Sequence, residues 1–469
     1  MELKQFAEIP GQCGWGPQWN AYRRRLQLGE VLQQISSTHG DIARIPIAGS
    51  RKVLISHPDD IRDVLVSKSQ YFGLCGQDLL RRVLPWGLIA TEGQFHDEHR
   101  AVMLMTLRKV LTRRVLTAVM ARSQQALSPL QDGAVLDLTQ FCRSLSLGIA
   151  ATLLFPDEAG EDITSRVDHA ALLDLLSQTN SWFLGMPIAF QKLCFLVGFR
   201  RTAAMLMTRR RVREQLTEAI ALASTIPRSG PDADVMSLVM NGGEVGGKMA
   251  GQFLQDNLLT ILIAGYETTA NTIAWAMWEA AQQKPLQSRM AEEGSRLSDD
   301  PAANMEWSNN ATWTSATVQE SLRMYPSVWA LPRRTLSEYR MGEYLLPKDT
   351  WVYVSQWVTH RDPRWFPNPL QFTPDRWLTL TTPSPDPLSG SAIDPATSPE
   401  RPQFSFFPFG GGKRFCIGKA IFDEEACILL GNFFARWELT PLPDCRPQPA
   451  FYVTMQPNQP LLVKLKLRA

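Results

Sequence analysis

A mainly helical fold with small β-sheets, built as one large domain over residues 1–469, is what this sequence predicts. Three observations carry that expectation. Apolar residues recur at helical spacing over long stretches, the longest running through about residues 247–281. Strand-like runs are short, β-branched and few. Length alone suggests two or three domains, but the motifs described below are spread over most of the chain, which favours one unit.

Composition narrows the class further. Hydrophobic residues make up 44% and charged residues 20%, both ordinary for a globular protein. A net charge of +2 argues for neither nucleic-acid nor acidic partners. The seven cysteines (Cys13, Cys75, Cys142, Cys194, Cys416, Cys427 and Cys445) show no metal-ligand spacing and no disulfide framework, which suits a reducing, cytoplasmic compartment. Residues 1–25 are polar and broken by Pro10, Gly11, Gly14, Gly16 and Pro17. They hold no apolar run of membrane-spanning length, so no transmembrane anchor is expected.

The elements follow in chain order. Residues 22–39 read as a helix. Residues 41–47 and 52–55 are strand-like, joined by a hairpin signal at Ala48-Gly49-Ser50. Pro58 then sits in the first turn of a helix. Residues 72–92 read as a long loop, and a helix runs from Gly93 through about 119. Residues 136–155 and 166–179 are helical by period, 181–198 is an apolar, broken stretch, and 200–222 is helical with a solvated Arg209-Arg210-Arg211 face. Within 247–281 lies Ala264-Gly265-Tyr266-Glu267-Thr268-Thr269, where polar residues interrupt an apolar helix and Thr can back-bond to the preceding turn. Residues 313–324 form a helix carrying Glu320 and Arg323 on one face, ended by Tyr325-Pro326. Residues 328–332 are extended, 344–354 alternate like a strand pair, and 380–403 form an irregular Pro- and Ser-rich insertion.

The most specific stretch is Phe409-Gly410-Gly411-Gly412-Lys413-Arg414-Phe415-Cys416-Ile417-Gly418. Consecutive glycines cost backbone entropy, so the loop needs unusual dihedrals or close approach by something flat and bulky. Lys413 and Arg414 are expected to favour a Cys416 thiolate, as is the N-terminus of the helix read over 420–437. Such a thiolate suits an axial ligand of haem iron. For the loop alone, a buried structural cysteine is the alternative.

With the other motifs, the loop resembles that of the cytochrome P-450 family of haem-thiolate monooxygenases, whose pattern F-x-x-G-x-R-x-C-x-G is met by Phe409, Gly412, Arg414, Cys416 and Gly418. The resemblance implies haem b (iron protoporphyrin IX) ligated by Cys416. It places Phe409, Arg414, Gly418 and Ala264 at the cofactor, and gives Thr268 and Glu267 the holding of dioxygen and the relay of protons. Glu320, Arg323 and Arg376 would form a structural triad. The family often has Trp, three residues, then Arg or His at the start of the helix after residue 93; here Phe95 replaces Trp. His99 is then the expected propionate contact, with Arg100 the alternative. Arg333 falls where a second propionate contact belongs, with Arg334 adjacent. His360 would be a structural or propionate-side contact.

The reaction implied is insertion of one oxygen atom from O2 into an apolar small molecule. Leu84, Trp86, Val328, Trp329, Val453 and Met455 are the expected pocket residues. A terpenoid or steroid comes first, a fatty acid second and a polyketide-type product third. No flavin or nicotinamide motif is present. NAD(P)H electrons are therefore expected through a ferredoxin or flavodoxin and its reductase, docking on Lys413, Arg414, Lys419, Arg108, Lys109 and Arg113. The alternatives are a peroxide-driven or isomerase-type member of the same family and a haem-binding sensor without turnover. Both leave the Glu267–Thr268 pair with less to do.

Overall fold

A computed structural model describes residues 3–12, 14–47, 51–75, 84–110, 113–155, 252–298, 300–378 and 401–468, with single residues between. The helix expected at 166–179, the apolar stretch 181–198, nearly all of 200–222 and most of the 380–403 insertion lie outside the described residues.

Helix α1 (Trp15–Arg23) and α2 (Leu28–His39) replace the single helix expected at 22–39. Strands β2 (Ile42–Arg44) and β3 (Lys52–Ile55) pair antiparallel, as their hairpin signal predicts. Helix α3 (Pro58–Arg62) starts on Pro58, and His57 caps it by accepting the Asp59 N–H. The loop expected over 72–92 begins with a strand, β4 (Phe72–Leu74), paired to β6 (Leu331–Thr335). That pairing joins residues far apart in sequence, so no local signal announces it.

Helices α4 (Gly93–Val110) and α5 (Arg113–Leu127) divide the run expected as one. Strand β5 (Val135–Asp137) pairs with the C-terminal β13 (Leu462–Leu467). Asp137 then caps α6 (Leu138–Leu154) by accepting the Thr139 N–H at 2.9 Å. The central helix α7 (Gln252–Ala281) packs along α6 and is buried over most of its length. Helices α8 (Lys284–Gly294), α9 (Pro301–Asn310) and α10 (Thr312–Met324) follow.

The strand pair expected at 344–354 is split between two sheets. Strand β8 (Tyr344–Leu346) pairs with β7 (Tyr339–Met341) and, in parallel, with β1 (Lys4–Gln5). Strand β9 (Trp351–Val354) instead inserts between β3 and β6, completing a five-stranded sheet in the order β2-β3-β9-β6-β4. Helix α11 (Gln356–Thr359) is capped by Ser355, and α12 (Lys419–Arg436) runs from the cysteine loop to β10 (Trp437–Pro441). A hairpin of β11 (Pro449–Phe451) and β12 (Met455–Pro457) reaches back to the central helix.

One core of buried residues runs through α6, α7, α10 and α12. A second lies on the five-stranded sheet and includes Val53, Ile55, Val352 and Val354 with Phe404 and Phe407, the two rings just before the cysteine loop. The loop is thereby fixed between a helical core and a sheet.

Candidate active site

The glycines of the cysteine loop are required by geometry. Gly410 and Gly412 have φ of +74° and +61°, a region side chains rarely adopt. A Cβ on Gly412 would lie 2.3 Å from the Leu65 carbonyl oxygen, and one on Gly411 would lie 2.6 Å from the Phe404 ring. The backbone then closes: the Cys416 N–H donates to the Phe409 carbonyl at 3.0 Å and the Gly410 N–H to the Phe407 carbonyl at 3.0 Å. His360 Nε2 accepts the Phe407 N–H at 3.0 Å, so His360 supports the approach to the loop structurally.

Cys416 is exposed, unlike the other described cysteines. Its sulfur opens to accessible space while protein crowds it on other sides, and that crowding pushes the thiol above its usual range. The Gly418 N–H, then Arg100 and Lys419, act in the opposite direction. The cations expected beside the sulfur were Lys413 and Arg414, and the structure differs. Lys413 pairs with Asp97 at 2.8 Å, while Arg414 donates to the carbonyls of Leu88 (3.1 Å) and Thr91 (2.5 Å).

Three half-buried arginines, Arg100, Arg333 and Arg414, converge nearby and form no salt bridge among the described residues, although the charges of Asp97 and Glu92 partly balance theirs. Arg100 donates to the Phe415 carbonyl at 2.5 Å, and Arg333 donates to the Pro332 carbonyl at 2.9 Å. Burial lowers the pKa of Arg100, Arg333 and Arg414 alike, and Arg333 and Arg100 both add their repulsion to Arg414. Arg333 and Arg334, the two candidates at this point of the sequence, lie on opposite faces of β6, and Arg334 pairs with Asp349 at 2.9 Å. His99 places Nδ1 2.5 Å from the Phe95 carbonyl and lies against the Phe95 ring at 4.0 Å. His96, unremarked in the sequence reading, is buried and sits in the field of Arg414 and Arg100. Its i, i+4 spacing to Arg100 was the available signal.

On the central helix, Ala264 is exposed and Thr268 half-exposed, although the neighbours Tyr266, Glu267 and Thr269 are buried. A Cβ on Gly265 would meet nothing within 4 Å. The Thr268 hydroxyl donates to the Ala264 carbonyl at 2.6 Å, and the Thr268 carbonyl accepts hydroxyls of Thr272 (2.9 Å) and Ser327 (2.9 Å). These side-chain bonds loosen the helix locally. Glu267 is turned elsewhere: it is 3% exposed, hydrogen-bonded to Thr454 and facing Arg143. Burial raises its pKa.

The residues fit an iron porphyrin on three counts. An exposed thiol stands at the end of a rigid loop. A strip of helix is bare of bulk at Ala264 and Gly265. Three half-buried guanidiniums have carbonyl partners and no salt bridge among the described residues, and two propionates would add to the balance that Asp97 and Glu92 give only from a distance.

Glu320, Arg323 and Arg376 meet below this site. Arg323 grips Glu320 through two bonds of 2.9 and 2.8 Å, and Arg376 Nε donates to it at 3.1 Å. Trp377 and the Thr373 N–H complete the carboxylate at 2.8 and 2.9 Å.

The six expected pocket residues fall into two groups. Leu84 is buried and Trp86 exposed, and their loop is pinned to the central helix: the Trp86 N–H donates to Asp256 at 2.9 Å and the Leu88 N–H to Asn257 at 3.0 Å. Val328 is half-buried, Trp329 and Met455 are packed in the core, and Val453 is exposed. Trp329 donates to the Tyr452 carbonyl at 2.8 Å, and the Met455 N–H to the Ser327 carbonyl at 2.8 Å. Asp256, Asn257 and Ser327, which hold these loops to the helix, had no signal in the sequence.

Two of the six residues expected to dock an electron donor are paired: Lys419 with Asp423 at 2.6 Å and Lys413 with Asp97 at 2.8 Å. The side chains of Arg108, Lys109 and Arg113 lie outside the described residues. No described helix is long and apolar enough to cross a membrane.

Comparison with known proteins follows the same line. A family model described as Cytochrome P450 matches residues 15–465. The chain is 25% identical over 456 residues to "Pentalenene oxygenase" of Streptomyces avermitilis, covering 97% of this chain and 95% of that protein. It is 26% identical over 426 residues to "Cyclooctat-9-en-7-ol 5-monooxygenase" of Streptomyces melanosporofaciens, covering 90% and 86%. "Cyclooctatin synthase" of the same organism is 26% identical over 448 residues, covering 92% and 91%.

Proposed function

We propose that this chain, which belongs to the cytochrome P450 family and is a monooxygenase, oxygenates a terpenoid at a haem held by Cys416. The observation that carries the site is the pairing of an exposed thiol on a rigid glycine loop with half-buried arginines that bond to backbone carbonyls and form no salt bridge among the described residues. Support for the substrate class comes from the relatives: pentalenene, named for one of them, is a terpene. Identity near 25% leaves the individual substrate to experiment.

The haem, when bound, supplies the oxidising power, its thiolate ligand favouring O–O cleavage. The chain's own residues do the rest. Cys416 would hold the iron as a thiolate, and metal binding would offset the burial that otherwise keeps it a thiol. The Gly418 N–H and the Arg100 charge then steady the sulfur. Arg100, Arg333 and Arg414, with His96, would hold the propionates; Arg100 and His99, the two candidates on α4, each also meet a backbone carbonyl, at Phe415 and Phe95. Ala264 and Gly265 keep the helix surface flat. The Thr268 hydroxyl, now bonded to the Ala264 carbonyl, would be the group that turns to hold dioxygen, and Glu267 would supply protons to it as a general acid. The loops around Trp86 and Val328 orient the apolar substrate. Electrons come from a separate ferredoxin or flavodoxin and its reductase, ultimately from NAD(P)H.

The test is the absorption spectrum of the ferrous protein with carbon monoxide, for the parent and Cys416→Ala. A strongly red-shifted Soret band, absent from the variant, is expected. An imidazole-like band in the parent would remove Cys416 as ligand and the proposal with it. A terpene panel read by displacement of the iron-bound water then tests the substrate class.

A further inference from the structure

Glu267 does not share the open face of the central helix; it belongs to a separate polar cluster. The Thr454 side chain, buried between β11 and β12, and the charge of Arg143 on α6 both favour its ionised form, against the burial that raises its pKa. Arg143 Nη2 donates to Gln456 Oε1 at 2.5 Å, and both residues are half-buried and reach the solvent. Several buried polar atoms here have no partner among the described residues: Arg143 Nε, the Tyr266 hydroxyl, and both ends of the Asn271 amide. Asn271 is 0% exposed and lies one turn beyond Glu267 on the same side of the helix. Tyr266 senses the charges of both Glu267 and Arg143. Buried polar atoms left unpaired by protein are costly, and when they gather about a carboxyl group they mark a hydrated, functional site.

We propose that Arg143 is the positioning residue of Glu267, and that with Thr454 and Gln456 it forms the route by which protons reach that carboxyl group from solvent. The inference rests on the proton-donor role given to Glu267 above. Each proton leaving Glu267 towards the Thr268 side is replaced from the Gln456 end. Arg143 never gives up its own proton; it orients the carboxyl group and balances its charge between deliveries. Asn271, both donor and acceptor, holds the hydration at the inner end. From α6 the charged group facing Glu267 is Arg143. The hairpin presents the uncharged Thr454 and Gln456, and the central helix itself the Tyr266 phenol.

The experiment uses the haem-loaded protein and two readouts. Infrared titration follows the protonated carboxyl band assigned to Glu267 by its loss in Glu267→Gln. Product formed per NADPH consumed is measured with a surrogate ferredoxin and reductase. Arg143→Met is expected to raise the infrared midpoint by about one pH unit, because a cation that favours the carboxylate is gone. It also diverts most electrons from product to peroxide, while Arg143→Lys restores both readouts. Gln456→Leu, at the solvent end, lowers the product yield and moves the midpoint less. A parental midpoint and yield in Arg143→Met, with Glu267→Gln still uncoupled, overturns the role of Arg143. A parental yield in Glu267→Gln overturns the donor role itself and the route with it.

Discussion

Glu320 shows how much a single residue can carry. Its two oxygens, fully buried, receive Arg323, Arg376, Trp377 and a backbone N–H, while Arg323 also donates to the carbonyls of His360 (2.9 Å), Pro369 (2.7 Å) and Gln371 (3.1 Å). One guanidinium therefore ties α10 to the segment leading to Arg376. Arg323→Met keeps the length of the side chain but leaves a buried carboxylate and three carbonyls short of donors. A loss of about 4 kcal/mol is expected, seen as a lower midpoint in urea unfolding. Less than about 1 kcal/mol would mean that the triad is ornamental. The identities of these residues were legible because Glu and Arg at i, i+3 share a helix face. The carbonyls that Arg323 gathers were not, since nothing in a sequence marks an acceptor brought from about forty residues away. Arg333 and Arg334 make the same point: adjacent residues on a strand face opposite ways, and only the pairing of β6 with β9 says which way is inward.

At the scale of elements, helices were easier to read than strands. Helix α12 and helix α10 lie within a residue or so of the bounds read from the sequence, although both are buried over nearly continuous runs rather than along a single stripe. Strands β4 and β5 were missed because two or three residues carry no period and their partners are distant in sequence. Helix crossings were equally hidden. Helix α8 crosses α12 at Gly294 and Gly431, where a Cβ on Gly294 would sit 2.0 Å from the Gly431 carbonyl oxygen. Neither helix can retreat: Gly431 is itself backed by the Trp307 ring, 2.4 Å from a built Cβ. Gly294→Ala gains helix propensity but forces α8 off α12, so overpacking outweighs propensity. A net loss of about 2 kcal/mol is expected in urea unfolding, together with weaker haem retention, since α12 begins at the cysteine loop. A stabilised variant would show that the crossing has slack.

The whole molecule adds a dependence on pH that no local motif discloses. Glu425 of α12 is buried against α6, where the Ser146 hydroxyl donates to it at 2.8 Å. Burial raises its pKa from 4.5 to about 8. Between those values the folded protein holds a proton that the unfolded chain has released. Stability from this group is therefore complete below about pH 4.5 and is lost as pH rises towards 8. His360 acts in the opposite sense: its pKa is depressed by burial, so its contribution is present above its usual 6.5 and lost as pH falls. The two slopes oppose each other in the parent protein, and a substitution is needed to separate them. Glu425→Gln keeps a neutral side chain beside Ser146 at every pH and leaves His360 untouched. The difference in Tm between variant and parent should thus grow from near zero at about pH 5 to a few degrees in the variant's favour at about pH 8. A difference that stays flat over that window would mean Glu425 is ionised in the folded state. Its charge would then have to be balanced from across the α6–α12 interface by a group other than Ser146.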